Sequence, residues 1–227
     1  MTNYTIAITS DTVCPWCYVG KNRLDSAIAS HKRQHPDDTF AVSWHPFYLN
    51  PDAASSIDKQ AFYVSKFGTQ RTSMMQAHLA RLGAQVGIKF AFGGKTGNTR
   101  DSHRVIQMGK AKGGDEGQGR VVEELFKAYF ENEEDITSRG VLVRRAVAAG
   151  LDEAEVEDWL DSGKGGDEVD SEVKAARASF VGGVPNFRIN GAYEIQGAEE
   201  PGTFLEVFKE IKDKGIGGGV VAGENTC

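Results

Sequence analysis

Tyr4-Thr5-Ile6-Ala7-Ile8-Thr9, running on into Asp11-Thr12-Val13-Cys14-Pro15-Trp16-Cys17-Tyr18-Val19, decides how this chain folds. Aromatic or branched residues alternate with smaller ones from Tyr4 to Thr9, the two-residue period of a strand. Pro15 stands where a helix can begin, because its missing N–H would have had no partner there. From Trp16 to about Ser30, Tyr18, Val19, Leu24, Ala27 and Ile28 recur at helical spacing. A Cys-x-x-Cys pair therefore lies between a strand and a helix. At that helix start Cys14 meets the positive end of the helix dipole and free backbone N–H groups, which favour a thiolate. Cys17 lies one turn deeper, close enough to attack a mixed disulfide and shielded from an incoming substrate.

Outward from this stretch, His35-Pro36-Asp37-Asp38 reads as a turn and Phe40 to Trp44 as a second strand, ending before Asn50-Pro51. Residues 56–180 carry helical patterns: Ala61 to Phe67, Met74 to Val86, Ser102 to Ala111, Val121 to Phe130, Ser138 to Ala149, Glu153 to Leu160 and Glu168 to Ala178. Glycines break them at Gly113-Gly114, Gly150, Gly163 and Gly165-Gly166. Thr137-Ser138 and Asp152 suit helix N-caps, and Gly150 suits a C-terminal stop. Strand character returns at Asn186–Ile189 and Tyr193–Ile195 around Asn190-Gly191, a strong hairpin dipeptide. A helix over Glu199 to Lys212 closes the chain, and a glycine-rich tail over 215–227 is expected to be mobile. The order βαβ, all-helical insertion, ββα predicts an α/β chain with a thioredoxin fold. Its fold domain is discontinuous, over 1–55 and 181–214, with a helical insertion domain over 56–180.

Composition narrows the function. The 227 residues are 40% hydrophobic and 26% charged, with a formal net charge of −6. No basic stripe interleaved with aromatics appears, so no nucleic-acid partner is expected. The N-terminus has neither a basic segment nor a long apolar one, and no apolar run approaches the roughly 20 residues of a membrane span. A cytoplasmic setting without a membrane partner is the expectation. In a reducing compartment a close cysteine pair is more often catalytic or metal-binding than a structural staple. Zinc wants four ligands, usually with a second Cys-x-x-Cys or a His pair; the one other cysteine is Cys227, and His31 and His35 lie beyond the helix, so no metal is expected. Gly93-Gly94-Lys95-Thr96 imitates the end of a phosphate loop, but Lys89 stands where its first glycine belongs.

A second element is Gly182-Gly183-Val184-Pro185-Asn186-Phe187. In thioredoxin folds a cis-proline opens the third strand opposite the cysteines, and the residue before it offers backbone groups to a substrate. Val184–Pro185, after a helix and before the Asn-Gly hairpin, fits that role and is expected to be cis.

The chain at this point resembles the DsbA-like group that includes the FrnE proteins, with 2-hydroxychromene-2-carboxylate isomerases and kappa-class glutathione transferases as cousins. The resemblance rests on Cys14-Pro-Trp-Cys17-Tyr18-Val19-Gly20-Lys21, Pro46 to Pro51, Gly97-Asn98-Thr99 with Ser102-His103-Arg104, and Gly183-Val184-Pro185 through Gln196-Gly197-Ala198. It implies catalytic Cys14 and Cys17, supported by Pro15, Trp16, Val184 and Pro185. It also places His103 and Asn98 beside the active face. There His103 either steadies a thiolate or packs behind a helix start capped by Asn98 or Thr99. Asn98, Gln196, Ala198 and Glu199 are candidate substrate contacts. Glu199 and Glu200 would receive an ammonium group such as glutathione's and repel a carboxylate. The implied activity is thiol–disulfide exchange with a protein or small-molecule dithiol or disulfide, using no bound cofactor beyond the redox-active disulfide. Glutathione as co-substrate and a homodimer are further expectations carried by the cousins. Two readings compete: a glutathione-dependent isomerase or transferase, whose relatives generally have serine at the position of Cys14, and a non-catalytic peptide-binding module.

Overall fold

The computed structural model describes residues 1–54, 56–179 and 182–215. The chain opens with β1 (Asn3–Ser10), α1 (Pro15–Gln34) and β2 (Thr39–Pro46). The insertion follows as β3 (Ile57–Asp58), α2 (Lys59–Phe67), α3 (Thr69–Val86), β4 (Lys95–Thr96), α4 (Arg100–Phe130), α5 (Arg139–Ala148), α6 (Glu153–Asp161) and α7 (Gly166–Ala178). β5 (Asn186–Ile189), β6 (Tyr193–Gln196) and α8 (Pro201–Lys214) complete it. The order β2-β1-β5-β6 makes one mixed sheet. β1 runs parallel to β2 (Ile8↔Trp44) and antiparallel to β5 (Ile8↔Phe187). This is the α/β thioredoxin fold that the element order predicts.

In one detail the insertion differs from the sequence expectation. It is helical except for β3 and β4, whose residues pair Ile57↔Thr96 and Asp58↔Lys95. The segments expected as separate helices on either side of Gly113-Gly114 are two helices joined end to end within α4, across a kink where both glycines leave helical geometry. Gly114 has φ 61°, which a side chain strongly disfavours, so the glycine pair ends one helix and lets the next start at an angle to it. The glycine-rich stretch that imitated a phosphate loop is occupied by protein: Gly93 N–H donates to the Glu133 carboxylate at 2.7 Å. Residues 216–227 of the expected tail, with Cys227, lie outside the described residues, as do Phe180 and Val181 at the expected domain boundary.

Alternation in β1 explains the core. Tyr4, Ile6, Ile8 and Ser10 are buried, whereas Asn3 and Thr5 face water. Tyr4 stacks on Phe40 with centroids 4.6 Å apart and donates its hydroxyl to the Phe208 carbonyl of α8. Phe187 meets Phe204 edge-on at 5.0 Å, fastening β5 to α8. Trp44 of β2 meets Phe126 of α4 at 6.1 Å. The buried apolar set runs without a break from β1 and α1 into α4, α5 and α6. The Asn-Gly hairpin forms as expected, with Asn190 at φ 50° and Gly191 at φ 71°.

Two polar devices finish the sheet. β2 is an edge strand, and Gln118 of α4 answers its backbone at Trp44. The amide oxygen accepts Trp44 N–H and the amide nitrogen donates to Trp44 C=O, both at 2.9 Å. The second is Asp38, 2% exposed. Burial by itself raises its pKa. Hydrogen bonds from Lys212 and His31, the Thr2 backbone N–H and the Lys212 charge outweigh burial and hold it well below the usual carboxylate range. These contacts tie the β2 entry to α1, α8 and the N-terminus.

Asp38→Asn is therefore expected to lower the unfolding free energy by about 2 kcal/mol near neutral pH, because it removes the buried charged acceptor that Lys212, His31 and the Thr2 N–H share. A depressed native pKa contributes stability above the unfolded value of about 3.9 and loses it as pH falls toward the native value. The deficit measured by urea unfolding should accordingly shrink below about pH 4. An unchanged deficit there would contradict the assignment.

Candidate active site

The end of β1 delivers the cysteine pair. After Ser10 the chain turns, with Cys14 N–H bonded to the Asp11 carbonyl at 3.0 Å. Cys14 is the N-cap of α1 in extended geometry (φ −90°, ψ 112°), and Pro15 occupies the first helical turn. Cys17 N–H donates to Cys14 C=O at 3.1 Å. Both cysteines are free thiols. No acidic side chain stands in the first turn of α1, so nothing there offsets the positive helix end.

Opposite this helix start lies the entry to β5. The Val184–Pro185 bond is cis. The Cys14 thiol donates to the Val184 carbonyl with Sγ and O 3.6 Å apart. Gly20 sets the closeness of the two elements. A Cβ there would stand 3.0 Å from Phe187 Cζ and 3.1 Å from Pro185 Cγ. Cys17 is 1% exposed. Burial, then the hydrogen bond and charge of Cys14, push its thiol well above the usual value, against weaker help from Ser10 and the Asp11 backbone. Both residues are buried, Cys14 to 3% exposure, and they differ in that Cys14 lines the cleft while Cys17 lies behind it.

That cleft has a volume of about 330 Å³ and runs from Cys14, Trp16 and Val184 into the insertion. Its walls are chiefly aromatic and aliphatic, from Phe62, Phe67, Met75, Leu79, Phe90 and Phe130. Trp16, 39% exposed, stands at the rim with its ring 5.9 Å from that of His78. Lys59 and Lys66 also line the cleft, and among the described residues no carboxylate does. Lys59 is 2% exposed, and burial lowers its pKa to about 8 despite an opposing pull from Glu133. Tyr63 and Tyr129, on the same walls, have phenols raised above their usual value, first by burial.

The structure gathers Cys14, Pro15, Trp16 and Val184 on this cleft, with Cys17 and Pro185 directly behind them. The other expected site residues are spent on the protein. His103 is buried behind the cysteine turn, its Nε2 donating to the Phe47 carbonyl at 3.2 Å and 3.5 Å from Asp11 Oδ1. That is the packed alternative for this histidine. Asn98 Oδ1 accepts Arg100 N–H at 2.9 Å, a contact that stabilises the start of α4. Gln196 donates to Glu194, Arg23 holds the Ala198 carbonyl and Glu200, and Glu199 points to solvent. Only the backbone of this segment reaches the site, through Gly197 N–H to Pro185 C=O at 2.8 Å. Sequence reasoning missed Asp11, Lys59 and the aromatic walls. One signal was present: a lysine directly after the Asp58 cap, at the helix end where cations are disfavoured.

The profile of the DSBA-like thioredoxin domain matches residues 5–209. The uncharacterised protein YwbO of Bacillus subtilis is 24% identical over 210 residues, covering 92% of this chain and 98% of its own. A probable DsbA oxidoreductase of Streptomyces coelicolor superposes with a TM-score of 0.83 at 26% identity, covering 93% of this chain and 91% of its own. A 2-hydroxychromene-2-carboxylate isomerase shares the fold at a TM-score of 0.70 and 14% identity, covering 93% and 97%.

The asymmetry of the two thiols is open to a direct test. In the folded protein at pH 7, iodoacetamide should modify Cys14 and spare Cys17 until denaturant is added, as read by peptide mass spectrometry. Equal labelling of both in native buffer would show that the deeper thiol is neither buried nor held protonated.

Proposed function

The chain belongs to the DSBA-like thioredoxin domain family, and from that premise we propose that it is a thiol–disulfide oxidoreductase working through Cys14 and Cys17. The observation that carries this reading is the free thiol at a helix N-cap 3.6 Å from the carbonyl that precedes cis-Pro185. Cys14 as thiolate attacks one sulfur of a substrate disulfide, and the other sulfur leaves as a thiol after protonation. Cys17 then gives up its proton and attacks Cys14, releasing the second substrate thiol and forming the Cys14–Cys17 disulfide. Two electrons pass to the substrate. The reverse sequence oxidises a dithiol.

Burial suits Cys17 to this division of labour. A thiol kept protonated until a mixed disulfide forms cannot compete with Cys14 for the incoming substrate. The Val184 carbonyl, placed beside Cys14, suits the N–H of an extended substrate backbone in the same site.

Replacement of each cysteine separates this mechanism from its rivals. Cys17→Ser should accumulate a mixed disulfide on Cys14, detected by mass after mixing with a model disulfide. Cys14→Ser should form none and should lose turnover in an insulin-reduction assay. A glutathione-dependent isomerase would instead keep full turnover after Cys17→Ala. A protein that never interconverts the two thiols with a disulfide would be a binding module.

A further inference from the structure

The floor of the active-site cleft holds a charge that the thiol chemistry does not use. Lys59 is the first residue of α2, after Asp58 has taken Ala61 N–H as its cap. Cations are disfavoured at a helix N-terminus, so α2 adds its own positive end to the ammonium. The side chain is almost wholly buried, where an uncompensated ion loses several kcal/mol of solvation. Its Nζ donates to the Tyr129 carbonyl at 2.8 Å and lies 3.8 Å from the Tyr129 ring centroid. Among the described residues no carboxylate pairs with it. Local preference and burial both oppose a lysine here, and such conflicts mark functional positions.

We propose that this cleft binds a small apolar carboxylate that carries a thiol or disulfide, with its anionic group on Lys59 and its sulfur at Cys14. This deepens the oxidoreductase reading and rests on it for the redox step alone. The volume of about 330 Å³ is at the small-molecule end of ligand sites, and the walls between Lys59 and Cys14 are aromatic. An extended polypeptide gains nothing from a buried cation there unless it inserts an acidic side chain. An apolar anion satisfies the charge and fills the cavity together. For a disulfide ligand, one S–S bond breaks as Cys14 bonds to one of its sulfurs. Cys17 then displaces that sulfur, so both electrons reach the ligand, and the two protons given up by the cysteines balance its two thiols.

Binding and turnover are tested apart. In the Cys14→Ser/Cys17→Ser protein, calorimetry should find naphthoate bound roughly tenfold or more tightly than neutral naphthamide, the value of one charged hydrogen bond. Lys59→Met should bring that ratio close to one, and Lys59→Arg should restore part of it. With the cysteines present, single-turnover reduction of dithiobis(nitrobenzoate) relative to neutral dithiodipyridine should fall by a similar factor in Lys59→Met. Equal affinity for naphthoate and naphthamide, in the protein with Lys59 intact, would overturn the proposal whatever the variants do. So would a preference for naphthoate that persists in full in Lys59→Met. A preference for naphthoate with no disulfide exchange at all would retain the anion site and remove the redox reading instead.

Discussion

The contact between Gly20 and the entry to β5 is the constraint on which the active site depends. α1 carries both cysteines at its start and packs this glycine against Phe187 and Pro185 so closely that a Cβ would have to push them back. The same few ångströms therefore set helix-to-sheet packing and the gap between the sulfur of Cys14 and the carbonyl of Val184. Packing density in protein interiors leaves little slack, so a fully packed interface transmits its geometry to the groups at its end. Phe187 is itself clamped by Phe204, which makes α8 a distant support of the same spacing.

Cys14 and Cys17 are chemically identical in sequence and become unequal through where α1 begins. One turn of helix moves a thiol from the cleft to the interior, where burial raises the energy of its anion. Asp11 and His103 brace the turn from behind, and neither reaches into the cleft. The site thus contains one thiol on the cleft wall, one reserve thiol behind it and the β5 entry opposite, all supplied by the first twenty residues and that entry.

Much of this was legible because it is local. The period of Tyr4–Thr9, proline after Cys14, the Asn190-Gly191 turn and Val184–Pro185 each state a backbone requirement within a few residues. The two-glycine interruption at 113–114 was equally local. The cleft was not legible. Its walls come from β3, α2, α3, the segment before β4 and the end of α4, which no short-range pattern relates. Asn98, Gln196 and Glu199 look like ligand contacts in a linear reading because polar residues near a site always do. Folding gave Asn98 and Gln196 nearer partners and left Glu199 in water.

Gln118 has a wider consequence. An outermost strand with free amides is a template on which another polypeptide can continue the sheet, and proteins guard such borders. Here a single carboxamide reproduces the donor and acceptor that a neighbouring strand would offer at Trp44, and it does so from within the same chain. Sheet extension is closed at that point of β2, which leaves β6 as the other border of the sheet.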